Sequence, residues 1–235
     1  MRSTRRLLAL AVAALAAAPA AAHADPGAGQ ATGFSAGFST LRPGAPTALT
    51  LRTAGRPPEP PTTLAPAIRQ TVTLPRGTTL RLGALPQCAA DDATLAAQGA
   101  QVACPPATRV GSGRADGVLD GAPAGFELAV YAISGQLFFA GERDGVPLKQ
   151  GFWGTASGRT LTLVVSTFGG RIAPTHFEAK LDRRPGGATW LRTPRRCPAP
   201  GRWRFDGRFT GLAAVTGGAP VGAEQRLRAT SACRG

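Results

Sequence analysis

Apolar and polar positions alternate with a period of two along most of this chain. From His176 to Asp182, Phe177, Ala179 and Leu181 face one way, and His176, Glu178, Lys180 and Asp182 face the other. From Arg202 to Phe209, Trp203, Phe205 and Phe209 oppose Arg202, Arg204, Asp206 and Arg208. Thr47 to Thr53 alternates in the same way, and so do Ile68, Val72 and Leu74 against Arg69, Thr71 and Thr73. Such segments bury one face and wet the other, which is the signature of antiparallel sheets. Glu224 to Thr230 supplies a further strand with Leu227 inward. Phe126 to Ile133, Gln136 to Gly141 and Thr160 to Ser166 read as strands from their density of β-branched, aromatic and leucine residues.

Turn signals punctuate these runs at Arg42–Gly44, Asp120-Gly121, Asp144-Gly145, Gly169-Gly170 and Gly186-Gly187. Strands at that spacing predict an all-β fold, an antiparallel β-sandwich or jelly roll of about ten strands. Arg56 to Pro61 carries four prolines and cannot sit inside a sheet, so it reads as an extended surface loop. One short helix is expected. Asp91 or Asp92 can cap a segment through Leu95 to Gln98, and Gly99 can terminate it.

The N-terminus has a different pattern. Arg2, Arg5 and Arg6 precede an apolar run from Leu7 to Ala18, then Pro19, then the small-x-small site Ala22-His23-Ala24. This charged, apolar and small-residue order is that of a secretory signal. The run is too short to span a bilayer, which takes roughly 20 residues. Residues 1–24 are therefore expected to be removed, leaving 25–235 as a single secreted domain. Thr4 to Leu8 loosely fits a twin-arginine signal, so either that or the general secretory route is open. No later segment reads as a membrane span, no cysteine stands at the cleavage site to take a lipid, and Leu74 to Thr78 only resembles a sortase signal.

Charge changes the picture further. The chain carries 27 basic residues against 13 acids, a net charge of +14, and only Lys149 and Lys180 among the basic residues are lysine. Codon bias in a high-GC genome produces such a composition, along with abundant Ala, Gly and Pro. Whatever its origin, a surface of this kind is drawn to polyanions, weakly and with strong salt dependence.

Cys88, Cys104, Cys197 and Cys233 are an even set in a chain read as exported, which favours structural disulfides. Three pairings are open. Pairing sequence neighbours, Cys88 with Cys104 and Cys197 with Cys233, would close short loops and contribute roughly 3 and 4 kcal/mol by the loop-entropy estimate. A metal site lacks ligands, because no C-x-x-C occurs and His176 is the only histidine beyond the leader.

Three stretches resemble a family of secreted actinobacterial β-sandwich proteins with two cysteine pairs. The first is Thr40 to Thr50, read as a hairpin. The second runs from Leu85-Pro-Gln-Cys88 through a short helix to Cys104-Pro-Pro-Ala-Thr-Arg-Val-Gly-Ser-Gly113. The third runs from Thr193 through Cys197-Pro198 and Gly201-Arg-Trp203 to Cys233. These anchors span most of the chain and imply one exported domain. No activity is assigned to the family, so the resemblance carries over no functional residue.

The chemistry of a hydrolase is hard to assemble from this sequence. G-x-S-x-G is absent: Gly111-Ser-Gly113 is too short, and Ser157 stands one place late after Gly154. His176, the one candidate base, falls on the charged outward face of its strand and reads as a solvated histidine. Glu178 and Asp182 share a face but lie about 13 Å apart along a strand, with Lys180 between them. Asp91-Asp92 reads as helix capping. Calcium loops and nucleotide loops are absent as motifs, so no cofactor is expected.

The feature above background is basic. Arg183, Arg184, Arg192, Arg195, Arg196, Arg202, Arg204 and Arg208 fall within 26 residues, with Asp206 as the one acid in the same neighbourhood beyond Asp182. Arg202, Arg204 and Arg208 should form an outward row, and Trp190 is placed to add stacking. Planar guanidinium forks suit phosphate or carboxylate. The expectation is a secreted, non-catalytic binding or structural protein that meets an anionic cell-wall polymer or acidic polysaccharide through Arg183, Arg184, Arg195, Arg196, Arg202, Arg204 and Arg208. A solvated strand face in an Arg-biased chain is the plainer reading of the same residues. Export argues against nucleic acid as the partner. The alternative function is a secreted hydrolase acting on carbohydrate.

Overall fold

Strands form where the alternating segments lie. The computed structural model describes residues 30–56, 65–167, 171–182, 189–213 and 218–234. The leader at 1–24, residues 57–61 of the proline-rich loop, Gly169-Gly170, Gly186-Gly187 and the candidate residues Arg183 and Arg184 lie outside them. The first strands are β1 (Gln30–Phe38), β2 (Leu49–Arg56), β3 (Ala67–Thr73) and the short β4 (Thr79–Leu80). Two short helices follow, α1 (Asp92–Gln98) and α2 (Ala100–Ala103). A run of antiparallel neighbours comes next: β5 (Arg109–Leu119), β6 (Ala122–Ile133), β7 (Gln136–Arg143), β8 (Val146–Ser157) and β9 (Thr160–Ser166). The chain ends with β10 (Ile172–Leu181), β11 (Leu191–Arg192), β12 (Arg202–Leu212) and β13 (Pro220–Ala232).

The fold is all-β and antiparallel. Eleven strands make one sheet in the order β1-β2-β10-β5-β6-β7-β8-β9-β3-β12-β13, and β4 and β11 pair separately. The two layers expected from the alternation are present as facing walls, but hydrogen bonding continues from one wall to the other. The sheet rolls into a nearly closed barrel. At its seam Ala31 N donates to Gln225 Oε1 at 2.7 Å, and Gly37 lies against Ser231. Alternation cannot separate a sandwich from a barrel, because inward and outward positions alternate in both.

Inward residues form the main core. Trp190, Trp203, Phe205, Leu49, Leu51, Leu74, Leu137 and Phe139 are fully buried within it. The β4–β11 pair closes one end of the barrel and is held to the β1–β2 connection. Thr47 N donates to Leu191 O at 3.2 Å, and Thr193 N donates to Ala45 O at 3.0 Å. Phe38 packs edge-on against Trp203 there, with ring centroids 5.3 Å apart.

The unbroken apolar runs of β6 and β7 have a separate cause. Their inner side chains, Leu128, Val130, Ala132, Leu137 and Phe139, belong to the barrel core. Their outer ones, Ala129, Tyr131, Ile133, Phe138 and Ala140, are buried beneath the helical excursion with Cys88, Leu95, Ala100 and Cys104. Asp91 is the cap: its Oδ1 accepts from Thr94 N at 2.8 Å, and Gly99 turns the chain with φ 77°. The Cys88–Cys104 bridge closes this excursion, with Cα atoms 5.3 Å apart. Cys197 pairs with Cys233, Cα atoms 5.7 Å apart, tying the segment before β12 to the end of β13. Among the described residues no helix is long and apolar enough to cross a membrane.

Candidate functional site

The outward row predicted on β12 has the expected geometry. Arg202, Arg204 and Arg208 are exposed, and Trp203, Phe205 and Phe209 are buried. Antiparallel pairing with β13 adds two arginines that lay outside the predicted set. Asp206 stands opposite Arg228, and Arg208 stands opposite Arg226. Both residues occur in the sequence as Arg226-Leu-Arg228, an alternating pair around the inward Leu227. The signal was visible, but the register that brings it beside Arg208 was not.

Acids engage part of this wall. Asp206 Oδ1 accepts from Arg204 at 2.8 Å and lies 3.5 Å from Arg228 Nε. Glu224 Oε1 accepts from Arg226 Nε at 2.6 Å. Arg202 donates to Thr230 Oγ1 at 3.3 Å. Arg208 has no carboxylate partner among the described residues, and it faces Arg226 directly. Arg69, outward on β3, pairs in register with Thr210, two residues from Arg208. The opposite wall is more evenly charged: Arg52 meets Glu178 at 2.9 Å, and Arg114 meets Asp116 at 2.9 Å and Glu127 at 3.8 Å. The hydrogen bond from Arg52, with its charge, holds the Glu178 carboxyl below the usual carboxylate range.

The remaining predicted residues divide. Arg195 and Arg196 are exposed at the bend after β11, next to the disulfide that joins Cys197 to the end of β13. Arg192 is exposed as well, and its Nη1 donates to Gly44 O at 3.1 Å. Trp190 cannot stack on any ligand. It is 1% exposed and donates its indole N–H to Asp182 O at 2.7 Å. It belongs to the main core at the end closed by the β4–β11 pair, so the expected stacking role is corrected.

His176 also departs from expectation. It stays beside Glu178, whose carboxyl its charge helps to lower, but it is half-buried on the rim of a cavity and not freely solvated. Asp116 stands opposite it in register, and both Asp116 oxygens accept from Arg114 Nε, at 2.9 and 3.1 Å. Among the described residues His176 makes no hydrogen bond through its imidazole, and no group of three His, Cys, Asp or Glu residues could hold a metal ion.

That cavity lies inside the barrel, at the end away from the β4–β11 closure. Its volume is about 140 Å³. Side chains from nearly every strand of the large sheet line it, including Phe126, Phe139, Phe152, Phe177 and Phe209. Phe139 and Phe152 stack 4.6 Å apart and 6° from parallel, and Phe177 meets Phe152 edge-on at 6.0 Å. A bulge at Thr175 lets both Pro174 and Phe177 reach it from β10. The alternation places Phe177 and Phe209 inward and the strand composition takes in Phe126 and Phe139, but nothing in the sequence singles out Phe152. Nothing in a period of two distinguishes a filled interior from a hollow one.

Fold and site together define a disulfide-closed antiparallel barrel, with an arginine wall outside and a small apolar cavity within. No family model matches this chain, and no curated protein matches it. Among solved structures it is similar to the T6 backbone pilin of serotype M6 Streptococcus pyogenes, at 6% identity and a TM-score of 0.35, over 85% of this chain and 35% of that one. The chain thus spans about a third of that pilin chain's length, and a likeness this distant carries no argument about function.

Proposed function

We propose that this chain is an exported, non-catalytic binding protein that contacts polyanions of the cell envelope through its β12–β13 wall. The polymer is one bearing phosphate or carboxylate, such as an anionic wall polymer or an acidic polysaccharide. One observation carries this reading: Arg208 and Arg226 sit directly across from each other on adjacent strands. Like charges in that position oppose folding, and here Glu224 offsets Arg226 alone and leaves Arg208 without a carboxylate among the described residues. An anion between the two guanidinium groups would turn the repulsion into a pair of charge-assisted contacts. Arg202, Arg195 and Arg196 extend the basic surface along β12 and the neighbouring bend. Export and kinship with the secreted actinobacterial family belong to the same proposal. They rest on the leader pattern, on the cysteine motifs and on two disulfides of the kind that persist in oxidising compartments.

A hydrolase needs two acids facing across a cleft, or an imidazole bonded to a hydroxyl and an acid. Asp116 is already held by Arg114, and His176 has neither bond among the described residues. No observation favours that alternative.

The test is retention on isolated cell walls and on an immobilised acidic polysaccharide across a salt series. Retention should be clear at low ionic strength and fall steadily as the Debye length shrinks toward about 8 Å at physiological salt. Replacing Arg202, Arg208 and Arg226 together with glutamine should weaken retention and flatten the salt dependence. No retention at low salt, or none of this loss in the triple variant, removes the proposal.

A further inference from the structure

The interior cavity is independent of the arginine wall and has a chemistry of its own. Its volume of about 140 Å³ is close to that of an engineered apolar cavity, roughly 150 Å³, that takes up benzene, and this one is partly open to solvent. Five phenylalanines line it together with aliphatic side chains, and the rings present both faces and edges. One polar side chain reaches into it from β3. Gln70 is 4% exposed, and its Nε2 donates to Thr53 Oγ1 at 3.0 Å. Among the described residues no donor meets Gln70 Oε1. An amide oxygen facing the cavity with no protein donor is an acceptor that a ligand hydroxyl can bond.

We propose that this cavity is a binding site for a small neutral aromatic molecule, one ring in size, that carries a hydroxyl and donates it to Gln70 Oε1. The ring matches the volume and the phenylalanine lining. Charged molecules are disfavoured, because burying an ion beside these phenylalanines would cost far more than one amide contact returns. The amide favours a donor over a bare hydrocarbon.

The experiment uses the full chain with phenol, benzene and hexane as probes, followed by NMR titration of the aromatic resonances. Phenol should give saturable shifts of the Phe139, Phe152 and Phe177 rings at millimolar concentration. Benzene should bind about two- to tenfold more weakly, the worth of one neutral hydrogen bond. Val165→Phe, which puts a ring into the cavity from β9, should abolish the shifts and leave the rest of the native spectrum in place. Should that variant not fold, Ile68→Phe fills the same space from the paired position on β3. The double variant Gln70→Leu/Thr53→Val should bind benzene and lose the preference for phenol. The proposal is overturned if no probe gives saturable shifts, if a folded filling variant binds phenol as well as the parent does, or if hexane binds as tightly as benzene.

Discussion

Gln70 reaches across the barrel interior to donate its side-chain N–H to Thr53 Oγ1, 3.0 Å away. The two residues belong to strands far apart in the order of the sheet, β3 and β2, so this bond links facing walls. Most of what surrounds it is apolar. Thr53→Val keeps the shape and removes the acceptor, leaving a buried amide donor unpaired. The expected loss is about 1–3 kcal/mol in chemical denaturation. Gln70→Leu/Thr53→Val removes both partners and should lie closer to the parent than Thr53→Val does. A double variant that is weaker than either single one would show that the link is not a mutually compensated pair.

The two glycines of Gly111-Ser-Gly113 are explained by close approach of backbones. A Cβ on Gly113 would stand 2.2 Å from Glu178 O, and one on Gly111 would stand 2.4 Å from Lys180 O. Both carbonyls belong to β10, paired with β5 in register. Gly113→Ala must therefore push strands apart, and it should cost roughly 1–3 kcal/mol or more. Gly83→Ala meets nothing within 4 Å and should stay within about 0.5 kcal/mol of the parent. Equal denaturation midpoints for the two variants would sink this account.

How far the sequence carries depends on the kind of contact. Local chemistry was legible: the Asp91 cap, the Gly99 stop, the Asp120-Gly121 and Asp144-Gly145 turns with both residues at positive φ, and the inward and outward residues of β12. Ser134-Gly135 is a third such turn that a Ser-Gly dipeptide could have signalled. Register was not legible. Only pairing shows that Arg226 faces Arg208, or that Gln70 meets Thr53 from the other wall. The outer burial of Tyr131 and Phe138 depends on where the α1–α2 excursion lands, which no period within β6 or β7 encodes.

Tyr131 offers a direct test of that landing, because it is the single tyrosine in the chain. Burial pushes its phenol up from the ordinary value of 10. An absorbance titration of the folded protein should therefore have its midpoint above that of the unfolded chain. Neutral phenol is the form favoured by folding, so this contribution to stability is present below the unfolded value and is lost as pH rises through the folded one. Cys88→Ser/Cys104→Ser frees the excursion, with an expected cost of about 3 kcal/mol. It should also move the tyrosine midpoint back toward 10. An unmoved midpoint would mean that the helices stay seated without their bridge.

Arg208 facing Arg226 predicts opposite effects on stability and on binding. Arg208→Gln relieves a like-charge pair and should raise stability at low salt by roughly a few tenths of a kcal/mol. High salt should erase that gain. The same substitution should weaken retention on anionic polymers. Denaturation and retention measured on one preparation at two salt concentrations separate these effects. A variant less stable than the parent at low salt would contradict the repulsion on which the proposed function rests.

Acid should loosen the opposite wall first through its ion pairs. The Glu178 carboxyl is lowered from 4.5 by its bond to Arg52, and that of Asp120 is lowered from 3.8 by its bond to Arg171. A carboxyl whose folded value is depressed binds protons more readily in the unfolded chain. Falling pH therefore favours unfolding, and the contribution is complete above the unfolded value and lost as pH drops through the folded one. Denaturation midpoints should be flat above about pH 5 and decline below it. Glu178→Gln and Asp120→Asn each remove one titrating partner, so each should flatten the decline. The variants and the parent should converge at the acid end, where the parent's carboxyls are also neutral. A slope that survives both substitutions unchanged would assign the acid sensitivity to other groups.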